Sequence, residues 1–585
     1  MSLSSSRTFL GTALIAFAVL AVYGGTVGFG FVFDDHVQIE RNPWLRHPDG
    51  FRLFLTRPFW GFYPDRGPAP SNYYRPVFGF AYSLVARIWG LQPAAFHAAS
   101  VLLHAAVSLL VALGARRFFR DGRLFRNDTA ALAAGLLFAV YPAHAEAVAW
   151  VAGQADLLAA LFVLAATFAY LQSPKSLLGP IAYFLACLSK ETGAALIVVL
   201  AAVEISEWRR EGSPGAALRR AAVRLAPYGL ALAVYVVLRV HALGGFAPRH
   251  YSVAATPAGA VAFAGALLAR YLGFLAVPFP ARVLTSVPAP TLLSPLALAG
   301  LAAAGLALLG LGIAAWRGRA RREIVLPLAF LFAFLLPVLA ANSIGGANFA
   351  ERYLYLPSIG LAWLAGLAWS RIAGSHRAVT AAALAGLIVL GIAAWARSTI
   401  YGSDLTLFSE VVRVNPRNEI ARNNLGMALY HEGRLDEAER EYRLALRLKP
   451  RNVAPLSNLA VLRERQGRSA EAEKLFEDVL RISPVHAVAA VHLARAQIAR
   501  GDQTGAARRL DALFAAGGES YDALVERADL WLEEGRPEKA VPLLERAVEM
   551  FPGRVKGREM LGRARKVSPP NVETPCRRLR GGRTV

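Results

Sequence analysis

The sequence predicts an all-α protein in which a polytopic bundle of about 11 membrane-crossing helices precedes an α-solenoid of helical repeats. Of the 585 residues, 55% are hydrophobic and 18% are charged. A soluble protein of this length and composition would expose a largely apolar surface. Uncharged runs long enough to cross a bilayer recur up to about residue 400. A charged amphipathic pattern with a period of 34 residues follows them.

The apolar runs define the predicted spans. No small-residue cleavage site follows the first run, so we expect a retained helix and not a removed signal peptide. Segment 259–278 is expected to be re-entrant or to lie at the outer interface, because a full crossing would invert the loops that follow. The predicted spans are residues 9–28, 94–115, 129–141, 151–171, 177–188, 192–206, 225–240, 292–316, 324–341, 355–370 and 378–396.

The net charge of +23 does not indicate a nucleic-acid partner. Arginines cluster within 116–126, 209–224 and 317–322, next to apolar runs, as the positive-inside rule expects for cytoplasmic loops. With a cytoplasmic N-terminus and an odd number of spans, everything after Tyr401 lies outside. The alanine- and arginine-rich usage favours a bacterial inner membrane, with the repeats in the periplasm; in a eukaryote the repeats would lie in the endoplasmic reticulum lumen.

The region 404–566 carries a regular repeat. Glycine separates two helices, alanine permits their close approach, and proline ends the second helix. These positions are Gly433, Gly467, Gly501 and Gly535; Ala438, Ala472, Ala506 and Ala540; and Pro416, Pro450, Pro484 and Pro552. The period is that of the tetratricopeptide repeat (TPR), whose stacked units leave a groove suited to an extended polypeptide. A purely structural stack or an oligomerisation module remains an alternative. Residues 567–585 are expected to form a disordered basic tail.

The membrane region carries polar motifs at the ends of its apolar runs. Phe31-Val-Phe-Asp-Asp-His36 follows the first span, and its paired carboxylates suit acid–base work or a divalent cation. Ionisable residues in such positions usually face a polar cavity. The other motifs are Ser71-Asn-Tyr-Tyr-Arg-Pro76, Tyr141-Pro-Ala-His-Ala-Glu146 continuing to Leu158, Ser189-Lys-Glu191 and Glu351-Arg-Tyr-Leu-Tyr-Leu-Pro-Ser358.

This succession of motifs, with TPR units after it, resembles the transmembrane-and-TPR family of protein O-mannosyltransferases. More broadly, it is similar to the GT-C class of polyprenol-dependent glycosyltransferases. The resemblance extends from Phe31 to about Pro552. It implies a GT-C-like domain over 1–400, with a first exoplasmic loop at 29–75. It also implies transfer of mannose or another hexose, with inversion, from a polyprenyl-phosphate sugar to Ser/Thr hydroxyls of exoplasmic proteins bound by the TPR groove.

The resemblance assigns roles to particular residues. Asp34 is the expected general base, and Asp35 orients it or holds the acceptor. Arginine and lysine can hold a phosphate, so Arg75, Lys190 and Arg352 are expected to bind the carrier phosphate. Sugar or acceptor contacts are assigned to His144, Glu146, Asp156, Glu191 and Glu351.

Alternatives remain at each level. Each cation could instead pair with a neighbouring acid, notably Lys190 with Glu191 and Arg352 with Glu351. His144 and Glu146 lack zinc-protease spacing, so no zinc site is predicted; no cofactor is required, and a divalent metal at Asp34 and Asp35 stays open. The acceptor could be a glycolipid or cell-wall polymer, and a non-enzymatic TPR membrane scaffold or transporter is the third reading.

Overall fold

The structure is a computed structural model that describes residues 3–62, 72–119, 128–207, 213–245, 256–280, 291, 293–317, 321–342, 349–372, 377–551 and 554–567. No β-strand occurs in these ranges, which confirms the all-α class. The chain forms two compact units. One comprises residues 1–61 and 70–441, and the other comprises 62–69 and 442–585.

The helices of the membrane region lie in the first unit. They are α1 (Leu3–Tyr23), α2 (Gly50–Thr56), α3 (Pro76–Trp89), α4 (Pro93–Phe118), α5 (Asp128–Ala139), α6 (Ala145–Ala149), α7 (Gln154–Gln172), α8 (Leu178–Ser189), α9 (Leu196–Glu207), α10 (Pro214–Leu243), α11 (Pro257–Ala276), α12 (Pro295–Arg317), α13 (Arg321–Ala333), α14 (Leu336–Asn342), α15 (Pro357–Ile372) and α16 (Arg377–Ser398).

Within the described residues, 7 segments are long and apolar enough to cross a membrane, or 8 if a pair bent by 47° counts as one span. The segments are Phe9–Gly28, Pro93–Phe118, Val151–Gln172, Gly215–Leu243, Pro257–Ala276, Glu323–Ala340 and Arg377–Gly402, and the bent pair is Asp128–Ala139 with Pro142–Ala149. The protein is therefore a multi-pass membrane protein. The count is lower than predicted partly because α8, α9 and α15 have 12, 12 and 16 residues. At about 1.5 Å per residue, helices this short fall below a hydrocarbon core of about 30 Å.

The segment expected to be re-entrant or interfacial forms one unbroken helix of 20 residues, α11. It does not turn back within the segment, and by length and composition it qualifies as a crossing. It packs very closely on α12. A Cβ added at Gly300 would lie 1.7 Å from the carbonyl oxygen of Gly265, so only glycine fits at this crossing.

The helices of the predicted repeat region follow one another along the chain. They are α17 (Asp404–Val414), α18 (Glu419–His431), α19 (Leu435–Leu448), α20 (Val453–Arg465), α21 (Ser469–Ile482), α22 (Ala487–Ala499), α23 (Gln503–Ala515), α24 (Tyr521–Glu533), α25 (Pro537–Met550) and α26 (Val555–Val567). The division between the two compact units falls within α19, so α17 and α18 belong to the unit that contains the membrane helices.

The repeat positions act as the sequence predicts. The four glycines that separate paired helices have φ between 69° and 82°, the left-handed region that glycine adopts without steric cost. The four alanines are fully buried. Pro416, Pro450 and Pro484 each follow the end of a helix by two residues. Pro552 and the tail after residue 567 lie outside the described residues.

Candidate functional site

The two acids after the first span lie in different environments. Asp35 is fully buried, and its carboxylate accepts hydrogen bonds from the backbone N–H of Val32 (3.2 Å) and of Ala152 (2.9 Å). Burial raises the pKa of Asp35 well above its ordinary value. Asp34 is only half-buried. Asp34, the acid predicted to act as the base, is thus the more exposed of the two. Asp35 attaches the loop to the segment that contains Ala152.

Trp150 lies between this loop and the Glu-Arg-Tyr motif. Its ring packs against Phe33, the residue before Asp34, with 6.0 Å between ring centroids. The Arg352 guanidinium carbon lies 5.0 Å from the centroid of the same indole. Two segments that are more than 300 residues apart in the sequence thus meet at one side chain, and the Asp34 loop and Arg352 lie on the same side of the bundle.

The three predicted phosphate-binding cations are each paired with a carboxylate. Arg75 donates through Nη2 and Nε to Glu191 at 2.8 and 3.1 Å. Lys190 Nζ lies 2.6 Å from both carboxylate oxygens of Asp156. Arg352 donates to Glu146 through its backbone N–H, at 3.0 Å, and through Nη1.

These pairs correct the partners suggested by sequence adjacency. Lys190 pairs with Asp156 and not with its neighbour Glu191. Glu351 pairs with Arg397, at 2.9 Å, and not with its neighbour Arg352. Three acids assigned to sugar or acceptor contact, Glu146, Asp156 and Glu191, are thus carboxylate partners of the three cations.

The three cations also lie close to one another. Lys190 Nζ and the Arg352 guanidinium carbon lie 4.9 and 5.1 Å from the centroid of the Tyr353 ring. Burial lowers the pKa of Lys190 to about 8, against the opposing effect of Asp156, and the positive charges of Arg75 and Arg352 lower it further. A guanidinium carries five N–H donors, so Arg75 and Arg352 have donor capacity beyond their carboxylate bonds.

His144 and Glu351, which were predicted to contact sugar or acceptor, are both buried against other elements of the bundle. His144 is fully buried, with Nδ1 2.9 Å from the Phe138 carbonyl oxygen and Nε2 2.7 Å from the Ser358 hydroxyl. Both ring nitrogens have hydrogen-bond partners within the protein. Glu351 is equally buried against Arg397. These two side chains join elements of the bundle.

Sequence reasoning missed four residues of this region. Trp150 and Tyr353 stand inside quoted motifs, and their aromatic character next to predicted cations was a usable signal. Arg397 and Asp404 follow the membrane motifs without any local pattern, and only the tertiary structure brings them to Glu351 and to the first loop. Among the described residues, no group of three or more His, Cys, Asp or Glu side chains is placed to hold a metal ion.

Comparisons with known proteins identify both the repeats and relatives that match most of this chain. Family models of the tetratricopeptide repeat match residues 417–484 and 491–555. Protein O-mannosyl-transferase TMTC3 of Mus musculus is 26% identical over 477 residues, which cover 74% of this chain and 50% of that protein. Protein O-mannosyl-transferase TMTC4 of Mus musculus is 28% identical over 507 residues, covering 74% of this chain and 66% of that protein.

A shorter region is more similar. Protein O-mannosyl-transferase TMTC1 of Mus musculus is 36% identical over 165 residues, which cover 28% of this chain and 17% of that protein. This chain spans about half the length of the first curated relatives it matches. Its homologues are thus protein O-mannosyl-transferases of the TMTC family, and the resemblance inferred from the motifs is confirmed.

Proposed function

We propose that this chain is a glycosyltransferase that moves a hexose, mannose in the first instance, from a polyprenyl-phosphate donor to Ser/Thr hydroxyls of exoplasmic proteins. The names of its homologues support protein O-mannosylation. The observation that carries the proposal is the meeting of the Asp34 loop and Arg352 at Trp150. For this reaction, the general base and the phosphate-binding cations must lie in one chamber. The Asp34 loop and Arg352 could not both contact Trp150 if they lay on opposite membrane faces.

The proposed step is a single displacement. Asp34 takes the proton of the acceptor hydroxyl, and the acceptor oxygen forms a bond to the anomeric carbon. The bond from that carbon to the phosphate oxygen breaks, and the polyprenyl phosphate leaves with the electron pair. Attack from the face opposite the leaving group inverts the anomeric configuration. Positioned general-base catalysis contributes roughly 10²–10⁴ in rate.

In this proposal, Arg75, Lys190 and Arg352 stabilise the charge that develops on the leaving phosphate. Their carboxylate partners hold the cations in place before the donor arrives, and an arriving phosphate competes with those carboxylates for N–H donors. This geometry supports a positioning role for Glu146, Asp156 and Glu191 more than direct sugar contact. The chemistry described requires no metal, and a divalent cation beside Asp34 remains a separate proposal.

We further propose a division into a transferase domain over 1–400, repeats over 404–566 and a basic tail over 567–585, with the N-terminus cytoplasmic and the repeats periplasmic in a bacterial inner membrane. Arginine-rich loops at 116–126, 209–224 and 317–322 support this orientation. If α11 crosses the membrane, the loop at 317–322 would lie on the exoplasmic side and not in the cytoplasm. Reporter fusions after residues 243, 280 and 317 would test this directly.

The enzymatic proposal is tested with the purified full-length chain in nanodiscs, labelled polyprenyl-phosphate mannose and a Ser/Thr-rich peptide. We expect hexose transfer by the wild type and a loss of about 10²–10⁴ in turnover for Asp34→Asn, with donor binding retained. Asp49→Asn is the matched control, since Asp49 is an exposed acid of the same loop whose side chain makes no cap hydrogen bond.

Three results would contradict the proposal in different ways. Full turnover by Asp34→Asn would exclude this residue as the base. Transfer to a glycolipid fraction but not to any peptide would support the glycolipid alternative. Donor binding without transfer to either acceptor would favour a scaffold that gathers partners through its TPR units.

A further inference from the structure

The turn that precedes Asp34 has an unfavourable backbone conformation. Phe33 has φ of 51°, the only positive φ of a non-glycine residue among those the structure describes. A bulky L-residue rarely adopts this region, and such residues persist where surrounding contacts hold them. The orientation of the Asp34 carboxylate therefore depends on whatever fixes Phe33.

The contacts that fix Phe33 come partly from α17, the helix that begins the predicted repeat region. The Phe33 backbone N–H donates to Asp404 Oδ1 at 2.7 Å. One helical turn further along α17, the Phe408 ring packs edge-on against the Phe33 ring, with 5.5 Å between centroids. Positions i and i+4 of a helix lie on the same face, so a single face of α17 covers the turn.

The second carboxylate oxygen of Asp404 contacts the other side of the acid pair. His36 Nε2 lies 3.1 Å from Asp404 Oδ2, and His36 Nδ1 lies 2.7 Å from Glu40 Oε2. The hydrogen bond to Asp404 raises the pKa of His36 to about 9, although burial opposes the shift; Glu40 adds to it. His36 is thus a cation at neutral pH. The Asp404 carboxylate thus contacts both ends of the tetrapeptide Phe33-Asp34-Asp35-His36.

Asp404 is itself held by the start of α17. Ser403 caps the helix, with its hydroxyl accepting from the Thr406 N–H while the Thr406 hydroxyl accepts from the Ser403 N–H. This reciprocal capping box fixes the first turn of a helix. The side chains of Asp404 and His36 are each about one-third exposed, so the contact forms at an accessible edge of the loop.

We propose that Asp404 is a positioning residue for the transferase reaction, through which α17, the helix at the start of the predicted repeat region, holds the Asp34 turn in its working conformation. The inference rests on the proposed function in one respect, that Asp34 is the general base. It goes beyond that function because it gives the repeat region a role in turnover in addition to binding the acceptor.

The test compares three variants of the full-length chain in nanodiscs. Asp404→Ala removes both contacts. Asp404→Asn keeps an oxygen that can accept from the Phe33 N–H but loses the charge facing His36. Glu410→Gln is the matched control, an acid of the same helix that pairs with Arg413 and not with the loop.

Two readouts are measured. Hydrogen exchange by mass spectrometry, followed on peptides within residues 30–40, is independent of catalysis; we expect exchange to accelerate about tenfold in Asp404→Ala, the effect expected from losing one charge-assisted hydrogen bond. In the mannose-transfer assay we expect kcat to fall about tenfold with the KM values for donor and peptide within twofold. Asp404→Asn should recover part of both, and Glu410→Gln should match the wild type.

The outcomes separate this inference from the proposed function. Wild-type exchange and wild-type kcat in Asp404→Ala would overturn the positioning role. A change in KM with kcat intact would also overturn it, because Asp404 would then act in binding. If the wild type transfers no hexose, the proposed function fails by itself, while faster exchange in Asp404→Ala would still establish the contact between α17 and the loop.

Discussion

Replacing Arg397 with methionine should strongly destabilise the membrane unit, the compact unit of residues 1–61 and 70–441 that contains the membrane helices. Arg397, near the end of α16, donates to Glu351 at 2.9 Å and to the Pro278 carbonyl oxygen at 2.6 Å. The side chains of Arg397 and Glu351 are 4% and 1% exposed. The substitution leaves a buried carboxylate without its guanidinium partner, and breaking a buried pair in this way costs about 3–5 kcal/mol.

A second variant separates the lost charge partner from lost packing. In Arg397→Met combined with Glu351→Gln, neither member of the pair carries a charge, so we expect at least half of the lost stability to return. Arg413→Ala is the control on a surface pair. Arg413 is 67% exposed beside Glu410, and such pairs contribute about 0–1 kcal/mol.

The measurement is unfolding of the purified chain in mixed micelles with increasing sodium dodecyl sulfate, followed by circular dichroism. A loss below about 1 kcal/mol for Arg397→Met would refute the reasoning, because it would mean that the pair is solvated. So would a double variant less stable than Arg397→Met alone. Either result would favour the predicted contact of Glu351 with sugar or acceptor over a structural role.

Two further predictions concern donor binding and helix packing. Because the pKa of Lys190 is lowered to about 8, its charge is present below pH 8 and is lost as pH rises, so wild-type affinity for polyprenyl-phosphate mannose should fall by up to about tenfold per pH unit above 8. Lys190→Arg should stay flat to pH 10 because arginine remains charged; parallel binding curves for the two proteins would contradict this. Gly300→Ala should destabilise the membrane unit by about 1–3 kcal/mol, since the new methyl group would meet the Gly265 carbonyl oxygen 1.7 Å away. Gly305→Ala on the same helix is the control, with nothing within 4 Å of its added Cβ, and equal melting of the two variants would exclude the close crossing.

The sequence was most informative where structure depends on local spacing. The glycines, alanines and prolines of the repeats act through the turns and contacts of their own helix pairs, so their period alone predicted their roles. The Asp34–Asp35 pair was also recognisable, because its position directly after an apolar run is a local feature.

The choice of ion-pair partners was not predictable in the same way. Lys190 has φ of −158° and ψ of 145°, an extended conformation. Successive side chains of extended backbone point in opposite directions, so Lys190 and Glu191 turn to different partners, Asp156 and Arg75. Those partners lie 34 and 116 residues away, and no spacing in the sequence relates them.

The lengths of the short predicted spans were not predictable for a related reason. Apolar composition identified segments 177–188 and 192–206 correctly as helical, but their helices have 12 residues each. Hydropathy reports whether a segment prefers an apolar environment and not whether that environment is lipid or protein. Lys190 and Glu191 lie between these two helices, so the break that shortens them also brings charged residues to the site.

The division of the chain within α19 bears on how the repeat array can change. Each repeat of a solenoid contacts its neighbours only, so units can be gained or lost at the distal end without altering those that remain. The loop contacts of Asp404 and Phe408 belong to the first helix, before that division. An engineered chimera that replaces the residues after 441 would therefore keep the contacts of Asp404 and Phe408 with the Asp34 loop. A chimera joined at residue 400 would lose them.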